Sequence, residues 1–324
     1  MHRFVSCLIA ALTVVAAFAF APVAAADSES RILDVRPLGG RQLEVVVYSA
    51  AMNRPITLWM SHPGPGAPAL YLLNAVDGGE SGGPWPRRTD VEEFFADKPV
   101  NVIVPMGGRA SYYTDWIADD PVLGRNKWTT FLTAELPPLL DERFAMTGRN
   151  AVAGLSMSAT SALNLAIAAP GLYRAVGAYS GCARTSDPLG QLLINTELAV
   201  FGANAANMWG APNNPAWTAN DPVLNAERLR GLALYVSAGN GLPGPHDNFG
   251  AQGIGANPGA LLDRVAVGGV METVISNCTR PLVDQLARLA IPATVELRGG
   301  THAWPYWQDD VHRSWPVFAT ALGV

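Results

Sequence analysis

The sequence predicts an α/β protein whose central sheet is mostly parallel and is covered by helices on both faces. Short apolar segments, which are typical of buried strands, alternate with helical segments, and Gly- and Pro-rich connections separate them. Neither an internal repeat nor a low-complexity linker divides the chain. Residues 27–324 are therefore expected to form one large domain.

The predicted strands are brief apolar blocks that end in turn residues. Eight segments match this description: residues 43–47, 56–60, 69–73, 100–104, 150–154, 176–179, 232–237 and 293–297. The first two form a hairpin-like start, and the later ones favour right-handed crossovers between parallel strands. Ligands of such sheets bind at the carboxyl ends of the strands, so functional residues are expected there.

Three segments have helical patterns, namely residues 89–96, 127–140 and 158–169. Residues 190–222 depart from the strand–helix alternation because they are rich in Asn, Pro and Trp. We expect this stretch to form an inserted, lid-like excursion over the sheet, and its apolar residues to contribute to the wall of a substrate groove.

The first 26 residues have the pattern of a secretory signal peptide. Arg3 precedes an apolar run, and small residues at Ala24 and Ala26 precede Asp27. A transmembrane anchor is the alternative, but the apolar run falls short of the ~20 residues needed to span a bilayer. Cleavage before Asp27 is expected, which would leave an exported chain without a transmembrane anchor.

The full chain has a formal net charge of -5, and its charged residues are scattered. A chain without a basic stripe is not expected to bind nucleic acid. Met106-Gly107-Gly108 lacks the spacing and the Lys-Ser/Thr ending of a phosphate-binding loop, and no segment has metal-ligand spacing. We therefore expect neither a cofactor nor a metal.

Two cysteines, Cys182 and Cys278, remain once the signal peptide with Cys7 is removed. In an exported chain such a pair predicts one disulfide. Two separate buried thiols are the alternative. A zinc site is not expected, because two distant cysteines without a His-rich partner do not supply tetrahedral ligation.

The candidate nucleophile is Ser156. It follows the apolar strand at residues 150–154 in the motif Gly154-Leu155-Ser156, and a helix begins directly after it. A sharp strand-to-helix turn of this kind exposes a serine at the edge of an α/β-hydrolase sheet, although Ser158 replaces the usual final glycine. The alternative is that Ser156 only caps the helix.

A serine hydroxyl needs a base, and His302 is the strongest of the five histidines. It follows the strand at residues 293–297 and a Gly-rich turn, which is where the last member of the order Ser, acid, His falls in this fold. The acid is left open between Asp247, which lies beyond the strand at residues 232–237, and Glu272, a lone carboxylate in an apolar stretch. A buried carboxylate needs a partner such as an imidazole N–H.

Seven segments, in order along nearly the whole mature chain, resemble the antigen 85 mycolyltransferase family, and their pattern is closest to the corynebacterial and nocardial trehalose mycolyltransferase branch. They are ALYLL at 69–73, YTDW at 113–116, KWTTFLT at 127–133, GLSMS at 154–158, MWG at 208–210, PAW at 215–217 and GTHAWPYW at 300–307. The resemblance implies an α/β-hydrolase fold and a cell-envelope enzyme. It also implies transfer of a mycolic-type acyl chain between trehalose esters and sugar or cell-wall acceptors.

The resemblance also implies site residues. Ser156 matches the family nucleophile, His302 its base and Glu272 its acid, so Glu272 ranks above Asp247. The backbone N–H groups of Val76 and Met157 match the oxyanion hole, which stabilises a developing alkoxide by several kcal/mol in comparable enzymes.

The sugar site departs from the mycobacterial pattern. Asn74 and Asp77 stand where the mycobacterial enzymes carry an acidic residue and an arginine that bind trehalose. Trp304, beside the base, is the best remaining residue for stacking on a sugar ring. Two other functions stay open: an exported carboxylesterase that uses water as the acceptor, and a non-catalytic wall- or matrix-binding paralogue. Retention of the serine, acid and histidine in order argues against the paralogue.

Overall fold

A nine-stranded sheet forms the centre of the computed structural model, which describes residues 29–324. The predicted signal peptide, residues 1–26, and its cleavage site before Asp27 lie outside the described residues. The strands are β1 (Arg31–Gly39), β2 (Gln42–Ser49), β3 (Arg54–Ser61), β4 (Ala69–Leu73), β5 (Asn101–Pro105), β6 (Asn150–Leu155), β7 (Tyr173–Tyr179), β8 (Ala233–Gly239) and β9 (Thr294–Arg298).

The spatial order of the strands is β1-β2-β3-β5-β4-β6-β7-β8-β9. β1, β2 and β3 pair antiparallel, and β3 also pairs antiparallel with β5. All pairs from β5 through β4 to β9 are parallel. The predicted α/β fold with a mostly parallel sheet is confirmed. The sequence missed β1, because this edge strand is exposed along most of its length and so lacks an apolar block.

Eleven α-helices connect or follow the strands in the described part of the chain. They are α1 (Trp85–Arg88), α2 (Val91–Phe94), α3 (Trp128–Thr130), α4 (Leu136–Phe144), α5 (Met157–Ala168), α6 (Pro188–Val200), α7 (Ala205–Trp209), α8 (Pro215–Ala219), α9 (Pro258–Asp263), α10 (Gly269–Arg288) and α11 (Trp304–Leu322). Short π-helical segments join α3 to α4 (Phe131–Glu135) and α9 to α10 (Arg264–Gly268), and one 3-10 turn spans Ala226–Leu229. Within residues 29–324 none of the helices combines the length and the apolar composition that a membrane span requires.

The core lies on both faces of the sheet, which explains why the parallel strands are apolar throughout rather than alternating. On β4, Tyr71 and Leu73 pack into a cluster with α5, whereas Leu70 and Leu72 pack into a second cluster with α11. All five residues of β4 are buried. The strand therefore forms a fully packed support for the residues that follow its carboxyl end.

The excursion predicted at residues 190–222 is helical in the structure, because it contains α6, α7 and α8. Its Asn and Pro residues, together with a preceding Asp, act as helix starts. The side chains of Asp187, Asn204 and Asn214 each accept a backbone N–H at a helix N-terminus, and proline follows two of these caps. The composition therefore predicted an excursion without its helices, although the Asn and Pro residues are signals for helix starts.

Candidate active site

The carboxyl ends of four neighbouring parallel strands bring the candidate site residues to one edge of the sheet. β6 leads into Ser156, β7 into Ser180, and β8 ends at Gly239. His302 follows β9 after a short turn. Loops after adjacent parallel strands meet at one edge, so residues far apart in sequence become neighbours here.

Ser156 occupies a strained turn between β6 and α5. Its φ is 51° and its ψ is -125°, a conformation that costs a non-glycine residue on the order of 1–3 kcal/mol. Its N–H donates to Tyr179 O at 2.9 Å, and its side chain does not cap α5. The capping interpretation of Ser156 is therefore wrong, and the turn directs the hydroxyl away from the helix backbone.

Small residues around the turn are needed because the backbone is crowded. A Cβ on Gly154 would lie 2.3 Å from Ser158 O. Ser158, which replaces the usual last glycine, fits because its hydroxyl is used locally. It accepts Leu155 N–H at 3.0 Å and lies 3.1 Å from Leu73 O on the neighbouring strand. The serine therefore ties the turn to β4.

A hydrogen-bonded chain joins Ser156, His302 and Glu272. His302 Nε2 lies 2.9 Å from Ser156 Oγ, and His302 Nδ1 lies 2.6 Å from Glu272 Oε2. When Nδ1 donates to the carboxylate, Nε2 is left as an acceptor for the serine proton. Only 7% of the His302 side chain and none of the Glu272 side chain is exposed, so bulk water has little access to this chain.

Glu272 lies in the first turn of α10 and is held from three sides. Besides the histidine, its Oε1 accepts Ser180 Oγ at 2.7 Å and Gly239 N–H at 2.5 Å. Burial raises the pKa of Glu272. This rise is outweighed by the hydrogen bond and charge of His302 and by the hydrogen bonds from Ser180 and Gly239, which lower the pKa. The pKa of Glu272 is therefore lower than its ordinary value, which keeps the carboxylate ionised.

Asp247, the rival acid, has a different set of partners. Its Oδ1 accepts Thr301 Oγ at 2.7 Å, and its Oδ2 accepts Gly244 N–H at 2.8 Å and Tyr306 OH at 2.6 Å. The structure therefore places Glu272, not Asp247, against the imidazole. Asp247 ties the loop after β8 to the residue preceding His302.

The other histidines of residues 29–324 pair away from Ser156. His62 Nδ1 contacts Asn101, His246 Nε2 contacts Asp309, and His312 Nε2 contacts Asp90, at 2.7, 2.8 and 2.9 Å. His302 is thus the histidine that the described chain brings to the serine.

The chain matches known proteins over most of its length. Residues 49–316 match the family model described as a putative esterase. The diacylglycerol acyltransferase/mycolyltransferase Ag85B of Mycobacterium leprae is 33% identical over 285 residues, covering 85% of this chain and 83% of that protein. The diacylglycerol acyltransferase/mycolyltransferase Ag85A of Mycobacterium tuberculosis is 33% identical over 286 residues, covering 86% of this chain and 80% of that protein. The chain belongs to the antigen 85-type family.

Solved structures agree on the fold. MPT51 (FbpC1) of Mycobacterium tuberculosis has a TM-score of 0.68 at 24% identity and covers 85% of this chain and 96% of its own. The serine hydrolase FphF of Staphylococcus aureus has a TM-score of 0.62 at 17% identity and covers 85% and 98%. Membership of the antigen 85-type family supports acyltransferase function, and the esterase family model supports hydrolase-like activity.

The two backbone N–H groups that the antigen 85-type resemblance assigns to an oxyanion hole lie in the segments that follow β4 and β6. β4 and β6 are in register from Ala69 with Asn150 to Leu73 with Gly154, so the loop carrying Val76 and the turn carrying Met157 follow adjacent strands. Within residues 29–324 neither N–H donates to a protein acceptor. Both donors are thus available at the end of the sheet where Ser156 lies.

The Asn74 side chain is bonded inside the protein, which corrects the expectation that it binds sugar. It is fully buried, its Nδ2 donates to Pro105 O at 2.9 Å, and its Oδ1 accepts Trp85 N–H at 3.3 Å. These bonds hold the loop that carries Val76. Asp77 is half-buried and accepts Gly79 N–H at 3.1 Å, so its carboxylate also shapes this loop.

A cleft of about 400 Å³ opens beside His302 and includes Trp304 in its lining. Trp304 is half-buried and packs edge-to-face on Trp85 and Trp307, with ring centroids 5.4 Å apart in both pairs. Much of the remaining lining comes from residues 252–253 and from the α9–α10 region. No sequence motif marked these residues, so the sequence analysis missed their part in the cleft.

The excursion also supplies a charged residue that the sequence analysis did not single out. Glu197 on α6 is half-buried and accepts a hydrogen bond from the Tyr112 hydroxyl. Burial raises the pKa of Glu197, while the Tyr112 hydrogen bond and the charge of His302 oppose this rise. The excursion at residues 190–222, whose apolar residues were predicted to contribute to a groove wall, therefore also supplies a carboxyl group that interacts electrostatically with the imidazole.

The predicted disulfide is present, between Cys182 and Cys278. Their Cα atoms lie 4.7 Å apart, and 96 positions separate them in sequence. Thr279 Oγ adds a hydrogen bond of 2.8 Å to Gly181 O. α10, which carries Glu272, is thus fixed to the segment that follows β7.

Proposed function

We propose that this chain is an exported serine acyltransferase of the cell envelope. It moves a mycolic-type acyl chain between trehalose esters and sugar or cell-wall acceptors through a seryl acyl-enzyme. The observation that carries the proposal is the hydrogen-bonded chain from Ser156 Oγ through His302 to Glu272. The 33% identity to mycolyltransferases over most of both chains supports the choice of acyl group.

The first half-reaction loads the enzyme. Ser156 Oγ attacks the ester carbonyl of the donor while His302 Nε2 takes the hydroxyl proton. The tetrahedral intermediate collapses when His302 returns that proton to the leaving sugar oxygen. An acyl-serine ester remains, and the deacylated sugar departs.

The second half-reaction runs the same steps with a new nucleophile. An acceptor hydroxyl gives its proton to His302 and attacks the acyl-serine carbonyl. The proton then returns to Ser156 as the ester bond to the enzyme breaks. Glu272, ionised at neutral pH, stabilises the imidazolium in both halves and holds its Nδ1–H.

The negative charge on the carbonyl oxygen is stabilised by the N–H groups of Val76 and Met157. Loss of one such donor in comparable enzymes costs about 2.7–4 kcal/mol of transition-state stabilisation. Because Met157 is the first residue of α5, the positive end of that helix adds to the effect.

A carboxylesterase is the second candidate, and the esterase family model over residues 49–316 favours it. In this case water takes the place of the acceptor hydroxyl, and every protein group keeps its role. The two candidates therefore differ in what enters the cleft beside His302, and only product analysis separates them.

The decisive experiment incubates the purified chain with trehalose monomycolate, with and without added labelled trehalose. We expect diester and label-exchanged monoester as main products, and neither with Ser156→Ala. Free acid as the only product, unchanged by added trehalose, would replace the acyltransferase by the esterase. Turnover by Ser156→Ala at the wild-type rate would refute both.

A further inference from the structure

The cleft beside His302 has a cationic lining. Three arginines line it, Arg87 and Arg88 from α1 and Arg264 from the start of the π-helical segment before α10. Asp263 is the one acidic residue of the lining. The whole chain carries a formal net charge of -5, so the local charge of the cleft is opposite in sign to that of the protein.

Within residues 29–324 no carboxylate forms an ion pair with these arginines. The Arg264 guanidinium donates to two backbone carbonyls, His246 O at 3.0 Å and Gln252 O at 2.8 Å. Arg87 and Arg88 are exposed, and Arg88 lies over the Trp304 ring at 5.6 Å from its centroid. Positive charge is therefore left uncompensated where a substrate would enter.

The positively charged residues of this lining lie in the same cleft as the proposed catalytic base. His302 and Trp304 share the cleft with the arginines. An aromatic ring offers a stacking surface for a sugar, and a guanidinium presents a planar fork of donors that matches phosphate and carboxylate oxygens. The combination fits a sugar that bears an anionic substituent better than a neutral sugar alone.

We propose that the acceptor sugar that binds in this cleft carries a phosphate or carboxylate group, which Arg87 and Arg88 bind while the ring packs at Trp304. This inference rests on the proposed acyltransfer at Ser156, because it names the class of sugar that approaches the base. Arg264 adds positive charge while its donors hold the loop at residues 246–252.

The test measures protection of Ser156 from a serine-directed phosphonate, so it does not depend on whether transfer occurs. Trehalose, trehalose 6-phosphate and inorganic phosphate are titrated against the labelling rate, and each variant is normalised to its own unprotected rate. We expect trehalose 6-phosphate to protect at a concentration at least about tenfold lower than trehalose, as hydrogen bonds to a charged group imply. Inorganic phosphate should be weaker than the sugar phosphate, since it lacks the ring.

Two variants isolate the arginines. Arg87→Gln/Arg88→Gln should bring the two sugars to equal protection, whereas Arg125→Gln/Arg174→Gln, which removes two exposed arginines outside the lining, should keep the difference. High salt should also shrink the difference in the wild type.

Equal protection by both sugars in the wild type overturns the inference, as does a preference that survives in Arg87→Gln/Arg88→Gln. If inorganic phosphate protects as strongly as trehalose 6-phosphate, the part of the proposal in which the sugar ring packs at Trp304 is wrong. A chain that is labelled and protected as expected, but forms no transfer product from trehalose monomycolate, would refute the proposed acyltransfer and leave the anionic site standing.

Discussion

The Ser180 hydroxyl donates a 2.7 Å hydrogen bond to Oε1 of Glu272, the carboxylate oxygen that does not contact His302. Ser180 directly follows β7 and has a φ of 51°, in the left-handed region that non-glycine residues seldom adopt. The strand end therefore fixes the acid from the side opposite to the base. A carboxylate held at both oxygens cannot rotate away from the imidazole without losing a bond.

Ser180→Ala should lower kcat by about tenfold or more, because a hydrogen bond to a charged group contributes about 1.5–3 kcal/mol. The pKa of Glu272 should rise, since one of the donors that lower it is gone. Steady-state kinetics with a p-nitrophenyl ester across pH measures both effects. Ser49→Ala is the matched control, because Ser49 is equally buried and donates to the Glu135 carboxylate at 2.6 Å, far from the site. Equal losses of kcat in the two variants would contradict a positioning role for Ser180.

Substitution of the proposed nucleophile separates chemistry from strain. Ser156→Ala should reduce turnover by at least about four orders of magnitude and abolish phosphonate labelling. Ser156→Gly should be equally inactive but at least as stable as Ser156→Ala, because glycine relieves the positive φ while losing more entropy on folding. Chemical denaturation of the three proteins provides the comparison. An alanine variant that is labelled at the wild-type rate would exclude Ser156 as the nucleophile.

The two acidic candidates should respond in opposite ways. Glu272→Gln should lower kcat by up to about 10⁴-fold, as expected when the orienting carboxylate of a triad is neutralised. Asp247→Asn should act on stability instead, by about 1–3 kcal/mol, because it disturbs three buried hydrogen bonds. Parallel measurement of kcat and of the free energy of unfolding distinguishes them. A larger loss of kcat in Asp247→Asn would reverse the assignment of the acid.

The acid also predicts a pH dependence of stability. The pKa of Glu272 is lower in the folded protein than its ordinary value of 4.5. Its contribution to stability is therefore present above pH 4.5 and is lost as the pH falls through the folded pKa. The difference in unfolding free energy between wild type and Glu272→Gln should shift against the wild type as the pH falls below 4.5. A difference that stays flat from pH 7 to pH 3 would contradict the lowered pKa.

Residues next to strands were the ones that sequence patterns could place. The Gly154-Leu155-Ser156 motif predicted the turn, because the strand before it and the helix after it are both strongly apolar, and β6 and α5 have the expected bounds within one or two residues. Position in chain order selected His302. These inferences rest on local patterns, and a single sequence is enough to show such patterns.

Local sequence patterns could not predict contacts between segments that are far apart in the chain. Ser180 is not part of a sequence motif. Its role depends on α10 lying near the end of β7, which brings Glu272 to Ser180 although 92 positions separate them in the chain. Asp247 and Glu272 could not be ranked from spacing, because tertiary packing alone decides which carboxylate meets the imidazole. The same holds for Arg87 and Arg264, which are far apart in sequence and share one cleft.

The disulfide should matter for both stability and alignment. Cys182→Ala/Cys278→Ala should lower the melting temperature, since the chain-entropy model gives about 4–5 kcal/mol for a loop of this length as an upper figure. Alanine is chosen because both sites lie in an apolar cluster with Ile275, where a serine hydroxyl would lack partners. Activity should also fall at temperatures at which the variant stays folded, because α10 carries Glu272.

Thr279→Val is the control for the disulfide, since it removes the neighbouring hydrogen bond between the same two segments and leaves the cross-link. It should cost about 1 kcal/mol and little activity. Alkylation and mass spectrometry of the non-reduced wild type check the bond directly. Two alkylatable thiols, or full activity of the double variant below its melting temperature, would contradict the alignment role.

The wide spacing of the three groups also bears on how the chain acquires its chemistry during folding. Ser156 and His302 are 146 positions apart, and the acid lies 30 positions before the histidine. Closing such loops costs entropy before any contact between the ends is gained, and sheets with many non-local pairings form slowly. Nucleophilicity at Ser156 therefore cannot emerge from a locally folded fragment that contains the turn alone. A refolding chain would regain its reactivity toward a phosphonate only after β7, β8 and β9 have joined the sheet, which makes the serine a reporter of the completed fold.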